Sequence, residues 1–161
     1  MQRVVLGLLA FLATSPFTAK ADTPQEIIGR YAALAKQENP GFDGFSPENG
    51  RELYFTQGVI PGVGIVSCAA CHLPDPTKVV IAHRSKVLCR ACHVIYDEEH
   101  PHPEQAKKRE IPPMAHSYNH QRFTDPVTVE DFLQRNCLLV LKRQCTTQEK
   151  GDVLSWLSLV N

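Results

Sequence analysis

The feature that most constrains this chain is the pentapeptide Cys-x-x-Cys-His, which occurs twice in 161 residues. It stands at Cys68–His72 and again at residues 89–93. In one turn of helix, cysteines at positions i and i+3 lie on the same face, so both thiols reach the same edge of a neighbouring group. The histidine that follows places an imidazole, a common metal ligand, beside them. We therefore expect a chain that is cross-linked by disulfides or that binds a metal.

Covalent haem is the chemistry that this spacing fits best. Two thiols on one face reach the two vinyl groups along one porphyrin edge, and the next histidine becomes the proximal iron ligand. We predict two haem c groups: haem 1 on Cys68, Cys71 and His72, and haem 2 on Cys89, Cys92 and His93. A four-cysteine zinc site is the alternative, because two such pairs also satisfy zinc-ribbon spacing. It is disfavoured, since a ribbon needs no histidine after each pair.

The first 21 residues predict a cleavable export signal. Arg3 precedes a continuous apolar run over residues 4–13, and Ala-Lys-Ala at residues 19–21 fits the small-residue cleavage rule. The mature chain would then begin at Asp22 as a single domain over residues 22–161. No later apolar run approaches about 18 residues, so no membrane span is expected in it. Export predicts a periplasmic location, where thiols form disulfides or are alkylated by a cofactor.

Helix signals recur along the chain and predict an all-α fold. Residues 23–26 and 146–149 are capping boxes, and Ser46 before Pro47 is a third helix start. A fourth helix is expected to begin at Thr128, with Phe132 and Leu133 inward. Residues 58–67 are rich in Gly, Pro and Val and are expected to form a loop. No stretch alternates with a period of two for long, which argues against a large sheet.

Several further motifs carry a resemblance to a known family. They stand at residues 50–52 (Gly-Arg-Glu), 111–115 (Ile-Pro-Pro-Met-Ala), 122–126 (Arg-Phe-Thr-Asp-Pro), 129–130, 135–137 (Arg-Asn-Cys) and 145–157. With the first Cys-x-x-Cys-His, they make the chain similar to the small class I c-type cytochromes related to the sphaeroides haem protein. The resemblance implies class I cytochrome helices wrapped around covalent haem.

That family typically holds one high-spin haem. The resemblance implies His72 as proximal ligand of haem 1, Asn136 as its labile distal ligand, and a disulfide between Cys137 and Cys145. A neutral amide is a weak donor that suits ferric iron better than ferrous iron. Reduction should therefore release Asn136 and open the iron to O2, NO or a related small ligand.

The second Cys-x-x-Cys-His departs from the family pattern. Residues 79–102 read as an irregular insertion that carries haem 2, and His116 and His120 stand where relatives usually show Pro. The candidates for the sixth ligand of haem 2 are His83, His100, His102, His116, His120 and Met114. His116 ranks first and His83 second. Two histidine ligands would keep this haem low-spin and closed.

Together these features predict an exported dihaem cytochrome c in which haem 2 relays electrons to a gas-binding haem 1. The resemblance implies a redox partner, either a dihaem cytochrome c or a membrane cytochrome b. A plain electron carrier with both haems six-coordinate is one alternative. A small haem reductase or peroxidase is another, although no spacing rule places an acid/base pair. The balance of 17 Lys+Arg against 17 Asp+Glu gives no basic field for nucleic acid.

Overall fold

The computed structural model describes residues 21–81 and 110–161. The helices in this part are α1 (Pro24–Glu38), α2 (Pro47–Phe55), α3 (Cys68–His72), α4 (Pro126–Leu141) and α5 (Thr147–Leu159), with a 3-10 turn at His116–Tyr118. The short strands are β1 (Gly58–Ile60), β2 (Gly64–Val66), β3 (Val80–Ile81) and β4 (Glu110–Ile111). Within these residues, no helix has the length and apolar character needed to cross a membrane. The predicted all-α class is confirmed.

The helices begin where their capping side chains stand. Thr23 and Thr146 each form a complete capping box, and Ser46 accepts a hydrogen bond from a backbone N–H of the first turn. The predicted start of α4 at Thr128 is wrong by two residues. Asp125 is the actual cap, because its carboxylate accepts from the N–H of Val127 at 3.1 Å.

The core forms where α5 packs against α2 and α1. Its largest fully buried side chains are Ile27, Tyr54, Leu154 and Leu157. Gly50 lets α2 approach α5 closely, since a Cβ there would overlap the carbonyl oxygen of Asp152. The buried Asp152 carboxylate in turn accepts from the backbone N–H of Ser46 at 2.7 Å. The cap of α2 is thereby tied to the middle of α5.

Helix α4 turns a different face to the core from the one expected. Phe132 is 44% exposed, so the prediction that it faces inward is wrong, whereas Leu133 does pack on the core. The inward stripe runs through Val129, Leu133, Asn136 and Val140, with spacings of four, three and four residues. Phe132 lies outside that stripe, where Arg135 covers its ring.

Residues 58–67 form a β-hairpin and not the loop that their composition predicts. Strands β1 and β2 pair antiparallel, with Gly58 opposite Val66. Ile60 and Val66 pack with Val140 of α4 in a second apolar cluster. A Cβ at Gly58 would overlap the carbonyl oxygen of Val140, so the hairpin lies directly on α4. The hairpin delivers the chain to α3 two residues after β2 ends.

The short pair β3 and β4 joins the two described parts of the chain. Val80 pairs with Ile111, and Ile81 with Glu110. The chain therefore leaves the described structure and returns to it at neighbouring points. Most of the predicted insertion at residues 79–102 lies outside the described residues, as do residues 1–20 of the predicted export signal.

Candidate haem centre

The first Cys-x-x-Cys-His forms helix α3, as its spacing requires. Ser67 caps this helix by accepting from the N–H of Ala70 at 2.9 Å. Ala69 is buried in the core cluster, Cys68 packs against that cluster, and both Cys68 and Cys71 are partly buried. Burial raises the pKa of the Cys68 thiol from 9.0 to about 11, and the neighbouring Cys71 adds to the rise. The Cys68 sulfur is thus a neutral thiol near pH 7, and Cys71 lies on the same helical turn.

His72 has a buried nitrogen that nothing in the described residues satisfies. Its Nδ1 is shielded from solvent and has no hydrogen-bond partner there. Burial, followed by the charge of Arg122, lowers the pKa of His72 from 6.5 to about 4. The imidazole is therefore neutral near pH 7, which is the form that binds iron. Two thiols and an unsatisfied neutral imidazole on one turn are the donor set that haem c takes.

Arg122 brings a half-buried positive charge close to α3. Its Nε donates to the carbonyl of Pro113 at 2.8 Å, and its Nη2 donates to that of Pro112 at 3.2 Å. Burial lowers the pKa of Arg122, and its charge acts on both His72 and Tyr54. No carboxylate among residues 21–81 and 110–161 forms an ion pair with it. Such a cation fits a site that receives the carboxylates of a haem.

Asn136 interrupts the apolar inward stripe of α4. Val129 and Leu133, on its N-terminal side, join the cluster that contains Ala69 of α3. Val140, on its C-terminal side, packs on the hairpin that leads into α3. Asn136 stands between these contacts on the same face and is itself partly buried. Asn136 therefore lies on the face of α4 that packs on these two clusters.

Cys137 and Cys145 are paired in the structure, with their Cα atoms 5.6 Å apart. Eight residues of uninterrupted helix would separate them by about 12 Å, beyond disulfide reach. The separation is shortened because α4 ends at Leu141 and Lys142 takes a left-handed conformation with φ 59°. Thr146 then caps α5. This geometry is the one that a bridge next to Asn136 requires.

Of the histidines proposed for haem 2, only His116 and His120 lie within the described residues. The Nδ1 of His116 lies 3.1 Å from the carbonyl oxygen of Arg122. A carbonyl can only accept, so Nδ1 carries the hydrogen, and in the neutral ring Nε2 is then the nitrogen with the lone pair, as is common in metal-ligating histidines. The ring of His120 packs edge-on against His116, with centroids 5.4 Å apart.

The remaining predicted residues of haem 2 lie outside the described residues: Cys89, Cys92, His93, His83, His100 and His102. Met114 packs on the core cluster that contains Ala69, and the N–H groups of Met114 and Ala115 donate to the carbonyl of Pro76. Met114 therefore packs on the same cluster as Ala69 of α3, the helix that carries the haem 1 cysteines.

Two site features were missed by sequence reasoning. Arg122 belongs to a motif that was noticed, but nothing in the sequence indicated that its charge is buried beside His72. Tyr54 donates its hydroxyl to the carbonyl of Leu73 at 2.7 Å, directly after the pentapeptide. Neither contact has a sequence signal, because the partners lie 50 and 19 positions apart and meet only on folding.

Comparison with known proteins gives consistent matches. Residues 77–157 match the family described as a domain of unknown function, DUF1924. Cytochrome c-type protein SHP of Cereibacter sphaeroides is 29% identical over 94% of this chain and 95% of its own length. Cytochrome c″ of Methylophilus methylotrophus is 23% identical over 96% of this chain and 92% of its own length.

Solved structures agree with these matches. Oxidised SHP, described as an oxygen-binding cytochrome c, superposes with a TM-score of 0.60 at 30% identity, covering 85% of this chain and 96% of that one. Oxidised cytochrome c″ from Methylophilus methylotrophus superposes with a TM-score of 0.63 at 23% identity, covering 86% of this chain and 94% of that one. The second likeness concerns the fold alone.

Proposed function

Because this chain belongs to the family of c-type cytochromes that includes SHP and cytochrome c″, and to DUF1924, we propose that it is an exported dihaem electron-transfer protein with one gas-binding haem. A haem supplies one-electron chemistry and, at an open coordination position, affinity for small diatomic ligands. The description of the SHP relative as oxygen-binding supports a ligand-binding role here. The resemblance stated from the motifs is confirmed at the level of the family.

Haem 1 would be held by the residues of α3 and their neighbours. Cys68 and Cys71 would form its thioethers, and His72 would be its proximal ligand. The neutral, unsatisfied imidazole of His72 supports this assignment. Arg122 would be the counterion of a haem carboxylate, which would give its buried charge a partner.

The observation that carries the gas-binding proposal is the position of Asn136. It is the one polar side chain on the inward stripe from Val129 to Val140, whose residues pack on the core cluster that contains Ala69 and on the hairpin that leads into α3. An amide there can hold ferric iron weakly and ferrous iron less. Asn136 would therefore close haem 1 when it is oxidised and release it when it is reduced.

The pair Cys137–Cys145 would fix the helix end that carries Asn136. A short disulfide-closed loop lowers the entropy of the unfolded chain. In the chain-entropy model this raises the free energy of unfolding by about 2.6 kcal/mol. Formation of this bond agrees with export to an oxidising compartment, which the sequence of residues 1–21 predicts. We place the mature protein in the periplasm with its redox partner, a dihaem cytochrome c or a membrane cytochrome b.

Haem 2 would be attached at Cys89 and Cys92, with His93 as proximal ligand. His116 is the preferred sixth ligand, and its Nδ1 hydrogen bond supports that choice because it leaves Nε2 available. His83 is the alternative. Two imidazoles would keep haem 2 low-spin, so that it passes electrons to haem 1 without binding gas itself.

The test exchanges the proposed labile ligand. We expect the ferrous wild-type protein to take up carbon monoxide or nitric oxide at one of its haems, measured by anaerobic absorption titration. Asn136→His should convert that haem from high-spin to low-spin and suppress gas uptake, because imidazole is a stronger ligand. Asn136→Ala should leave it open in both oxidation states. Asn49→His, at an exposed position of α2, is the matched control and should change neither property.

Met114 supports a second candidate function, a plain electron carrier with haem 1 closed by a thioether. Its packing against the cluster of Ala69 is the observation that favours it. In that case wild-type ferrous protein should take up no gas, and Met114→Leu should open haem 1. If instead Asn136→His abolishes gas uptake and Met114→Leu leaves it unchanged, the carrier is excluded.

A further inference from the structure

Leu73, the residue that follows His72, has a strained backbone. Its φ is 67° and its ψ is 156°, a region of backbone space that is essentially restricted to glycine. A leucine persists there only where its surroundings hold it, and such positions cluster at functional sites. The strain lies immediately C-terminal to His72, so any relaxation of Leu73 would move the His72 backbone.

The group that holds Leu73 is the hydroxyl of Tyr54. It donates to the Leu73 carbonyl at 2.7 Å, and the Tyr54 side chain has no exposed surface. The Tyr54 ring is fixed in turn by Trp156 of α5 and by Phe55, with centroids 4.9 Å and 5.4 Å away. The Tyr54 hydroxyl is therefore held in place by the packing of α2 against α5, and its hydrogen bond restricts the movement of the Leu73 carbonyl.

We propose that Tyr54 is a positioning residue for haem 1, which fixes the orientation of the His72 imidazole by holding Leu73 in its strained conformation. The proposal rests on the assignment of haem 1 to Cys68–His72. The Tyr54 hydroxyl donates to the carbonyl of the residue next to His72, so its influence on the imidazole passes through Leu73. Removing the hydroxyl would let Leu73 relax and leave the imidazole plane and its distance from the iron less well fixed.

A loosened imidazole changes the reduction potential in a defined direction. Electron donation from the proximal ligand stabilises ferric iron more than ferrous iron, and the orientation of that ligand is one means by which a protein sets the potential. Weaker donation after loss of the hydroxyl should therefore favour the ferrous state and raise the potential of haem 1. A purely structural role of Tyr54 would lower the stability of the fold and leave this potential unchanged.

The experiment compares two buried tyrosines in the haem-loaded protein. Tyr54→Phe should shift the ferric–ferrous equilibrium of haem 1 about threefold toward ferrous, or about 28 mV by spectroelectrochemical titration. It should also broaden the iron–histidine stretching band in the resonance Raman spectrum of the ferrous protein. Tyr31→Phe is the control, because it also removes the hydroxyl of a buried tyrosine, which donates to the carboxylate of Glu130 at 2.6 Å and not to Leu73. It should leave both readouts unchanged.

A second variant tests the route through Leu73. Glycine adopts the Leu73 conformation without strain, so in a Leu73→Gly background the added Tyr54→Phe change should shift the potential less than in wild type. An unchanged potential in Tyr54→Phe, or an equal shift in both backgrounds, would overturn the proposal. If no haem is attached at Cys68 and Cys71 at all, the assignment of haem 1 fails instead, and the haem content measured beforehand separates the two outcomes.

Discussion

At the scale of single residues, Arg122 is in an unusual environment, because its guanidinium is half-buried and forms no ion pair with the carboxylates that the structure describes. A half-buried guanidinium is costly unless a partner compensates it. Two proline carbonyls accept from it, but they carry no negative charge. Arg122 also lowers the pKa of His72, after burial, and thereby helps to keep the imidazole neutral. The same positive charge should act on a haem iron bound by His72.

We expect Arg122→Gln to lower the potential of haem 1 by tens of millivolts. A nearby positive charge stabilises ferrous iron, and a unit charge acting over about 10 Å contributes roughly 1.7 kcal/mol at an effective dielectric constant of about 20. Arg122→Lys keeps the charge and should retain most of the potential. Arg30→Gln removes an arginine of α1 that pairs with Asp22, and it should have no effect. A potential in Arg122→Gln equal to wild type would contradict this electrostatic role.

At the scale of elements, the first turn of α5 combines a cap with an ion pair. Thr146 and Glu149 satisfy each other's backbone N–H groups, and Arg143 binds the same carboxylate through two hydrogen bonds of 2.7 and 2.5 Å. The hydrogen bond from Arg143 is the largest of the effects that hold the pKa of Glu149 below its usual 4.5. This turn follows Cys145 directly, so its stability determines how well the Cys137–Cys145 segment is fixed.

Glu149→Gln keeps the capping geometry and removes the charge, so it isolates the ion pair. We expect a loss of about 0.5 kcal/mol in the free energy of unfolding at pH 7, in the upper range for exposed pairs because the contact is bidentate. A carboxyl with a lowered pKa stabilises the fold above its unfolded pKa and loses that contribution as pH falls through the folded value. The difference between variant and wild type should therefore begin to shrink as the pH falls below about 4.5, and should vanish below the lowered pKa of Glu149 in the folded protein.

A double-mutant cycle with Arg143→Gln checks the assignment by urea denaturation. The two single variants and the double variant should show a coupling energy close to the Glu149→Gln effect at pH 7. A Glu149→Gln penalty that persists at low pH, or that adds fully to that of Arg143→Gln, would mean that the ion pair is not its source.

At the scale of the whole molecule, one core and one helix organise the proposed site. Helix α5 packs on α1 and α2, carries Trp156 against Tyr54, and begins next to Cys145. The hairpin of β1 and β2 links α4 to α3 through a second cluster. The proximal and proposed distal residues of haem 1 therefore belong to separate elements that the same packing holds in place.

The covalent state of the exported protein tests the whole-molecule proposal. In a host competent for cytochrome maturation, the intact mass should equal that of residues 22–161 plus two haems, less the two hydrogens of a disulfide. Alkylation without reductant should add nothing, since in this proposal four cysteines would carry haem and the other two are paired. A protein with one haem would remove haem 2 and its relay role. Labelling of Cys137 and Cys145 before reduction would remove the disulfide.

The sequence by itself determined the local features. Capping side chains lie within three residues of the groups they bind, so the starts of α1, α2 and α5 were predictable. The Cys-x-x-Cys-His spacing likewise predicts a helical turn with both thiols on one face, which α3 confirms. The family was identifiable for the same reason, because its motifs are contiguous strings and need no knowledge of the fold.

The tertiary structure alone decided which faces meet. The hairpin at residues 58–67 was predicted as a loop, since its apolar residues find a partner only when α4 packs on them. The inward stripe of α4 excluded Phe132 for a similar reason: a period of 3.6 residues defines the possible stripes, and the neighbouring elements select one. The effect of the Arg122 charge on His72 and the hydrogen bond from Tyr54 to Leu73 join groups that are far apart in the chain. Such contacts form only because desolvated polar groups must find partners after the core has closed, and no local pattern encodes that requirement.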